Sequence, residues 1–316
     1  MVDIIAAKGG RRMRRAVAVS ELSNKMGVNY LGEDKEINGL NLCNRFSQYE
    51  NILSYATDNT YVDIVKNNKK LACLIVNEKH LDIYKPLIKE KGITLMPCAE
   101  PETVFYDIHE YLYEKTDFYE KYMFDSKIGE KCKIHESAII EDGVRIGNYV
   151  TIGANSVIKK GTVIKEFCSV GCNTVVGAEG FQIIKEKGWN RRIEHSGGIL
   201  IEQNVSIGDN VTIGNSLFEN TAFIGKNVMI DNLAYIGHNV VIEKSVVITA
   251  GTVLCGSVTV KSGAWIGPNS SILNRVVIGE GAKIGMGSVV TRDIPKKALA
   301  YGVPAKVRRM LEMGNE

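Results

Sequence analysis

His238 stands in Ile236-Gly237-His238-Asn239, and Gly256 follows eighteen residues later in Leu254-Cys255-Gly256-Ser257. A histidine brought over a glycine suits acyl transfer. An imidazole of ordinary pKa, about 6.5, accepts a proton from an attacking nucleophile near neutral pH. A glycine beside it leaves a backbone N–H open to a developing oxyanion. Taken alone, the spacing fits a solvent-facing corner histidine equally well.

The number eighteen acquires meaning from the rhythm of the surrounding chain. From Ile128 to Val290 an aliphatic residue returns at every sixth position, as in Ile128, Ile134, Ile140 and Ile146, or Ile230, Ile236, Ile242 and Ile248. Six is neither the 3.6 of a helix nor the 2 of a strand. It is the period of a solenoid whose unit is one short strand plus one corner. Many units place Gly after the aliphatic residue and a small residue four after it, as in Ile266-Gly267…Ser270. Three units per coil stack residues eighteen apart, about 4.8 Å from strand to strand. On that ruler Gly256 lies one coil from His238. His135 falls far below, and His195 falls in a break of the rhythm. Zinc needs converging ligands, so no metal site is assigned.

Two interruptions mark the solenoid. Gly177–Leu200 is long, charged and contains Trp189, and insertions of this kind project from one face and often bind ligands. Ile213 to Ile224 is a shorter step containing Ser216-Leu-Phe-Glu-Asn220. The chain then divides into a basic tail (1–15, with Arg11, Arg12, Arg14 and Arg15), a mixed α/β domain (16–116), a linker (117–126), the solenoid (127–292, insertion 177–200) and a C-terminal tail (293–316). In the α/β domain Ser20 is the predicted N-cap of a helix Glu21–Met26 closed by Gly27. Leu71–Val76 reads as a buried strand and Pro101–Tyr113 as an amphipathic helix. Pro304 is predicted to start a short terminal helix.

The net charge of +3 over 316 residues demands no nucleic acid and no anionic membrane as partner, and no aromatics interleave the N-terminal arginines. Seven cysteines, an odd number without a CxxC pair, argue against a disulfide framework. There is no apolar run of membrane-spanning length and no signal-peptide pattern, so the expectation is a cytoplasmic protein without a membrane span.

Gly177-Ala-Glu-Gly-Phe181, His195-Ser-Gly-Gly-Ile-Leu-Ile-Glu202 and Ile230-Asp-Asn-Leu-Ala-Tyr-Ile-Gly-His-Asn-Val240 resemble the UDP-3-O-acylglucosamine N-acyltransferase family in order and spacing. Ser20–Gly39 and Leu53-Ser-Tyr-Ala-Thr-Asp-Asn-Thr-Tyr61 are similar to its opening segment and nucleotide-base motif. The resemblance implies a mainly β chain, a left-handed parallel β-helix, a homotrimer and active sites in clefts between subunits. The left hand runs against the usual crossover rule and comes from the resemblance alone. Carried over by residue, His238 is the general base and the Gly256 N–H the oxyanion donor. Asp231 and Asn232 lie near the acceptor amine and acyl carbonyl, and Phe181, His195 and Asn239 fall in the matched substrate segments. Tyr55 and Tyr61 match aromatics that hold the nucleotide base, with Asp58 between them where the family has Asn. A carboxylate only accepts, so Asp58 is suited to the N3–H of uracil or thymine. Ordinary half-buried packing is the other reading of the tyrosines.

Three departures bear on substrate. Ser216–Asn220 replaces a segment that usually contains Asp-Arg-Gly. Arg275 stands where the lipid enzymes often carry a second histidine. Gly287-Ser-Val-Val-Thr-Arg-Asp-Ile-Pro295 with Gly302-Val-Pro-Ala-Lys306 is similar to the tail of coenzyme-A-dependent sugar acetyltransferases, which makes Arg275, Lys306 and Arg308 candidates for coenzyme A phosphates. The expectation is an N-acyltransferase moving an acyl group from acyl-coenzyme A to the amine of a UDP- or dTDP-linked amino sugar for surface polysaccharide, with no tightly bound cofactor. The alternatives are the lipid A N-acyltransferase itself, using acyl carrier protein, and a non-catalytic nucleotide-sugar-binding trimer.

Overall fold

Most hexads form a two-residue strand whose second residue turns inward. Ile146, Ile152 and Ile158 are buried, whereas Arg145, Thr151 and Val157 before them are not. Inward residues eighteen apart pair directly, Ile128 with Ile146 and Ile146 with Ile164. A column of aliphatic side chains therefore fills the interior, each fully buried one worth roughly 1.5–3 kcal/mol. The computed structural model describes residues 16–45, 47, 49–218 and 221–311; the basic cluster Arg11–Arg15 lies outside them. Among the described residues the hexads build three sheets of parallel strands, eight in each, and the second is extended to ten by two further strands at its C-terminal end. The first contains Lys127–Ile128 and Val241–Ile242, the second Lys133–Ile134 and Met229–Ile230, the third Ile139–Ile140 and Tyr235–Ile236. This is a left-handed parallel β-helix.

The Ile-Gly pairs of the repeat have a steric cause. A Cβ at Gly153 would lie 2.7 Å from the Gly171 backbone, and one at Gly237 would lie 2.8 Å from the Gly256 nitrogen. At these corners the next coil comes too close to admit a side chain without displacement, whereas others carry Asp231, Thr249 or Lys261 in the same position. Tyr122, just ahead of the first coil, uses the same allowance: its ring would meet a Cβ at Gly161 at 2.9 Å, and its hydroxyl one at Gly198 at 3.0 Å.

The chain forms two compact units. One comprises residues 1–120, 181–196 and 218–220, the other 121–180, 197–217 and 221–316. In the first unit Gly39–Leu40, Ile52–Ala56, Leu71–Asn77 and Thr94–Cys98 form a parallel sheet in that order. The helix Pro101–Lys115 packs on it through Phe105, Tyr106, Ile108 and Leu112. The insertion contributes a hairpin to this unit, Gln182–Glu186 paired with Trp189–Ile193, turning at Lys187 and Gly188, both with positive φ, as a two-residue hairpin favours. Arg191 fastens it to the helix through Asp107, Glu110 (2.7 Å) and its own hairpin's Glu186 (2.9 Å). In the solenoid the step across the insertion is 37 residues, Val170 to Ile207, and that across the short step is 23, Ile213 to Ile236.

Two local expectations are corrected. The first helix is Val19–Met26, so Ser20 lies inside its first turn instead of capping it. The acceptor comes from elsewhere: Asp34 Oδ1 takes the Ser20 N–H at 2.8 Å. Gly27 does close the helix in the left-handed conformation, φ 65°. At the other end there is no terminal helix. The chain reverses at Gly302-Val303-Pro304, and Ala305–Met310 pairs antiparallel with Ala298–Gly302, which continues the second sheet. Satisfying that exposed strand edge outweighs the helix signal of Pro304.

His109, fully buried, ties the first unit together. One ring nitrogen lies 2.9 Å from the Tyr119 hydroxyl and the other 2.9 Å from the Glu194 carbonyl. Because a carbonyl only accepts, Nε2 carries the proton and Nδ1 accepts from Tyr119. Burial pushes its pKa down to about 4. A neutral folded histidine means that the unfolded chain binds the proton first as pH falls. Stability is expected to be full above about pH 6.5 and to drop by ~3 kcal/mol between 6.5 and 4. H109Q should flatten that slope in urea unfolding followed across this range; an unchanged slope would assign it to other groups.

Candidate active site

His238 and Gly256 meet as the register requires. Ile236 pairs with Leu254, and the Ser257 N–H donates to the His238 carbonyl at 2.7 Å. The imidazole lies over Gly256 so closely that a Cβ there would fall against Nε2 and within 2.7 Å of both ring carbons beside it. Among the described residues the Gly256 N–H has no hydrogen-bond partner. The site therefore pairs a ring nitrogen with an open backbone donor.

The tautomer follows from the other face of the ring. His238 Nδ1 lies 2.9 Å from Asn239 Oδ1, and that oxygen also accepts the Leu217 N–H at 3.0 Å. An acceptor held by a backbone donor requires Nδ1 to carry the proton, which leaves a lone pair on Nε2, the nitrogen above Gly256. Asn239 thus fixes the tautomer of the ring, a contact that its place among the matched substrate segments does not reveal. Leu217 was not legible as a participant, because its N–H reaches Asn239 only through the path of the short step 213–224. Arg275 sits in the same corner column, its N–H donating to the Gly256 carbonyl at 3.2 Å, and its side chain is exposed. Lys306 and Arg308 lie exposed on the terminal strand, with the Arg308 guanidinium 5.0 Å from the Tyr301 ring centroid.

Asp231 and Asn232 occupy a different corner, between the second and third sheets. Asp231 Oδ1 accepts the Asn232 N–H at 2.7 Å and Asn232 Oδ1 the Asp209 N–H at 2.6 Å. The strand Tyr235–Ile236 separates this corner from that of His238, so one copy of the chain does not bring the two together. His195 is buried in the first unit, Nδ1 3.1 Å from the Ile193 carbonyl. Phe181 in the same unit is 65% exposed, with the Arg192 guanidinium 5.8 Å from its centroid.

Tyr55, Asp58 and Tyr61 lie at or just beyond the C-terminal end of the strand Ile52–Ala56, the edge where open α/β sheets bind ligands. Their groups are engaged. Tyr55 donates to Glu102 Oε1 at 2.8 Å and packs on Phe105, centroids 5.0 Å apart. Tyr61 is half-buried against the domain core. Asp58 caps the turn Asn59–Tyr61, accepting the Thr60 N–H at 2.8 Å and both threonine hydroxyls beside it. The Thr60 hydrogen bonds hold its carboxyl below the usual range. A pocket of about 640 Å³ is lined by Cys43, Arg45, Asp63, Asn67 and Lys70, and Tyr55, Asp58 and Tyr61 are not among its lining residues. No group of three histidine, cysteine or acidic side chains placed to hold a metal occurs among the described residues.

The bacterial transferase hexapeptide model (six repeats) matches residues 125–160, 221–256 and 257–292, and the middle block holds both His238 and Gly256. A dTDP-3-amino-3,6-dideoxy-alpha-D-galactopyranose 3-N-acetyltransferase of Aneurinibacillus thermoaerophilus is 60% identical over 45 residues, 14% of this chain and 23% of that protein. The chain thus spans less than a quarter of that relative's length. Among solved structures, a UDP-N-acetylglucosamine acyltransferase from Campylobacter jejuni superposes with a TM-score of 0.52 and 25% identity, covering 58% of this chain and 70% of the other.

Two substitutions probe the geometry directly. G256A should drive the His238 ring off its seat and lower any turnover at least 100-fold, since donor and base are displaced together. N239A should release the ring to both tautomers, visible in the ring nitrogen shifts of ¹⁵N-histidine spectra. A single unchanged tautomer in N239A would remove Asn239 from its positioning role.

Proposed function

From the premise that this chain is a hexapeptide-repeat transferase, we propose that it is an N-acyltransferase acting on a nucleotide-linked amino sugar, with acyl-coenzyme A as donor. The observation that carries this reading is the Nε2 lone pair of His238 seated over the open N–H of Gly256. The sugar amine attacks the thioester carbonyl, and the carbonyl oxygen, now anionic, takes the Gly256 N–H. His238 Nε2 removes the proton from the new ammonium. The intermediate collapses to an amide, the C–S bond breaks, and the departing thiolate takes the proton back from the imidazolium.

The neutral partner of the ring favours an amine over a hydroxyl. Asn239 stabilises an imidazolium less than a carboxylate would. A hydroxyl needs strong base assistance as it attacks. An amine is already nucleophilic and needs its proton removed only after the C–N bond has begun to form. The N-acetyltransferase relative points the same way. Arg275, Lys306 and Arg308 are the proposed phosphate contacts of the donor, and Tyr55, Asp58 and Tyr61 those of the base, with Asp58 accepting the N3–H of a uracil or thymine. The physiological unit is proposed to be a homotrimer in the cytoplasm, since a single copy separates Asp231 and Asn232 from His238. No helix among the described residues is long and apolar enough to cross a membrane. A long hydroxyacyl chain on acyl carrier protein is the second reading of the donor.

H238A is expected to lower turnover by ~10²–10⁴ with assembly intact, read by thiol release from acyl-coenzyme A with UDP- and dTDP-amino sugars as acceptors. Wild-type turnover in H238A would sink the mechanism. In competition, short acyl-coenzyme A should outrun hydroxyacyl carrier protein by at least tenfold; the reverse order would install the lipid donor.

A further inference from the structure

The insertion hairpin carries groups that neither the site nor the packing of its own unit uses. Gln182–Glu186 and Trp189–Ile193 pair in register, with Lys187 and Gly188 forming the turn. Side chains along such a ribbon alternate between its two faces, and cross-strand partners share a face. One face carries Ile184, Ile193 and Arg191. Both isoleucines are buried, and Arg191 holds Asp107 and Glu110 of the helix, so this face fixes the ribbon in place. Trp189 ends the same row beside the turn. It is 80% exposed, and its side chain has no ring, hydrogen-bond or ion-pair partner among the described residues. Lys185 on the opposite face and Lys187 in the turn are exposed and form no ion pair among the described residues.

A single exposed apolar residue is ordinary on a protein surface. The charges around Trp189 set it apart. From Gln182 to Ile193 the cations Lys185, Lys187, Arg191 and Arg192 face one acid, Glu186, which Arg191 engages at 2.9 Å. The net charge of +3 for the whole chain conceals this local excess. A lone indole with flanking cations is too small an anchor for a stable protein partner, which takes about 800 Å² from each side. It does fit the headgroup layer of an anionic bilayer, where indoles seat at the interface and lysines meet acidic lipids. We infer that the hairpin tip, Lys185, Lys187 and Trp189, is a contact for an anionic membrane surface. One tight turn has no length to cross the hydrocarbon core, so the contact is peripheral. Each lysine near such a surface strengthens binding roughly fivefold, which makes the contact of one chain weak and reversible. The inference is independent of the acyl-transfer reading, since no group of that site takes part.

The test uses the full-length chain and vesicles of equimolar phosphatidylcholine and phosphatidylglycerol, with pure phosphatidylcholine vesicles beside them. Wild type should float with the anionic vesicles, remain behind with the neutral ones, and be released by added salt. In W265F, which leaves Trp189 as the one tryptophan, emission should move to the blue on adding anionic vesicles. W189S and K185S/K187S should each lower the partition into anionic vesicles at least tenfold. K89S/K91S, which removes the same charge from exposed positions elsewhere in the unit, should bind as wild type. Wild type that ignores anionic vesicles, an unmoved Trp189 emission, or an equal loss in K89S/K91S would each overturn the inference. So would retardation of a DNA duplex that is lost in W189S while vesicles are ignored, which would transfer the surface to nucleic acid.

Discussion

The vertical register of the coils is the constraint on which the rest depends. Each coil donates its strand N–H groups to the coil above it at 2.7–3.1 Å, as Gly237 does to Leu254 and Val241 to Val258. That ladder fixes residues eighteen apart over one another, so a side chain on one coil and a backbone group on the next form a site without a loop to hold them. The His238–Gly256 pair needs no special local structure. It needs only that the corner above the histidine lack a Cβ.

The same constraint explains which parts of the molecule were legible in the sequence. The solenoid, its eighteen-residue ruler and the seating of His238 over Gly256 follow from periodicity, because a periodic core leaves a periodic trace. The interruptions keep no such trace. Asn239 falls among the matched substrate segments, yet its oxygen is engaged by Leu217 and by the ring, through a backbone path with no repeat to read. Ser20 and Pro304 carried correct local signals that tertiary partners overrode: Asp34 supplies the acceptor at the first helix, and strand pairing replaces the terminal helix. Asp58 keeps its acceptor chemistry but spends part of it on the turn it caps.

The two units differ in how they bear change. In the solenoid each coil touches chiefly its neighbours, so stability is close to a sum of local terms and a substitution is felt one or two coils away. The first unit rests on a few engaged polar groups. His109 and Arg191 each join segments far apart in sequence, and the buried His109 contacts in particular are costly when either partner is lost.

The insertion hairpin also bears on how the polypeptide must be made. Glu194, which receives the His109 N–H, and Phe218, 5.0 Å from the same ring, are both encoded after several coils of the solenoid. The first unit is therefore a discontinuous domain. A ribosome that has reached residue 120 has not yet supplied what closes it, and a fragment cut at that boundary would leave a buried histidine and an aromatic cluster open to water. Synthesis order here runs against domain order: the early coils of the solenoid emerge before the domain that precedes them in sequence can be completed.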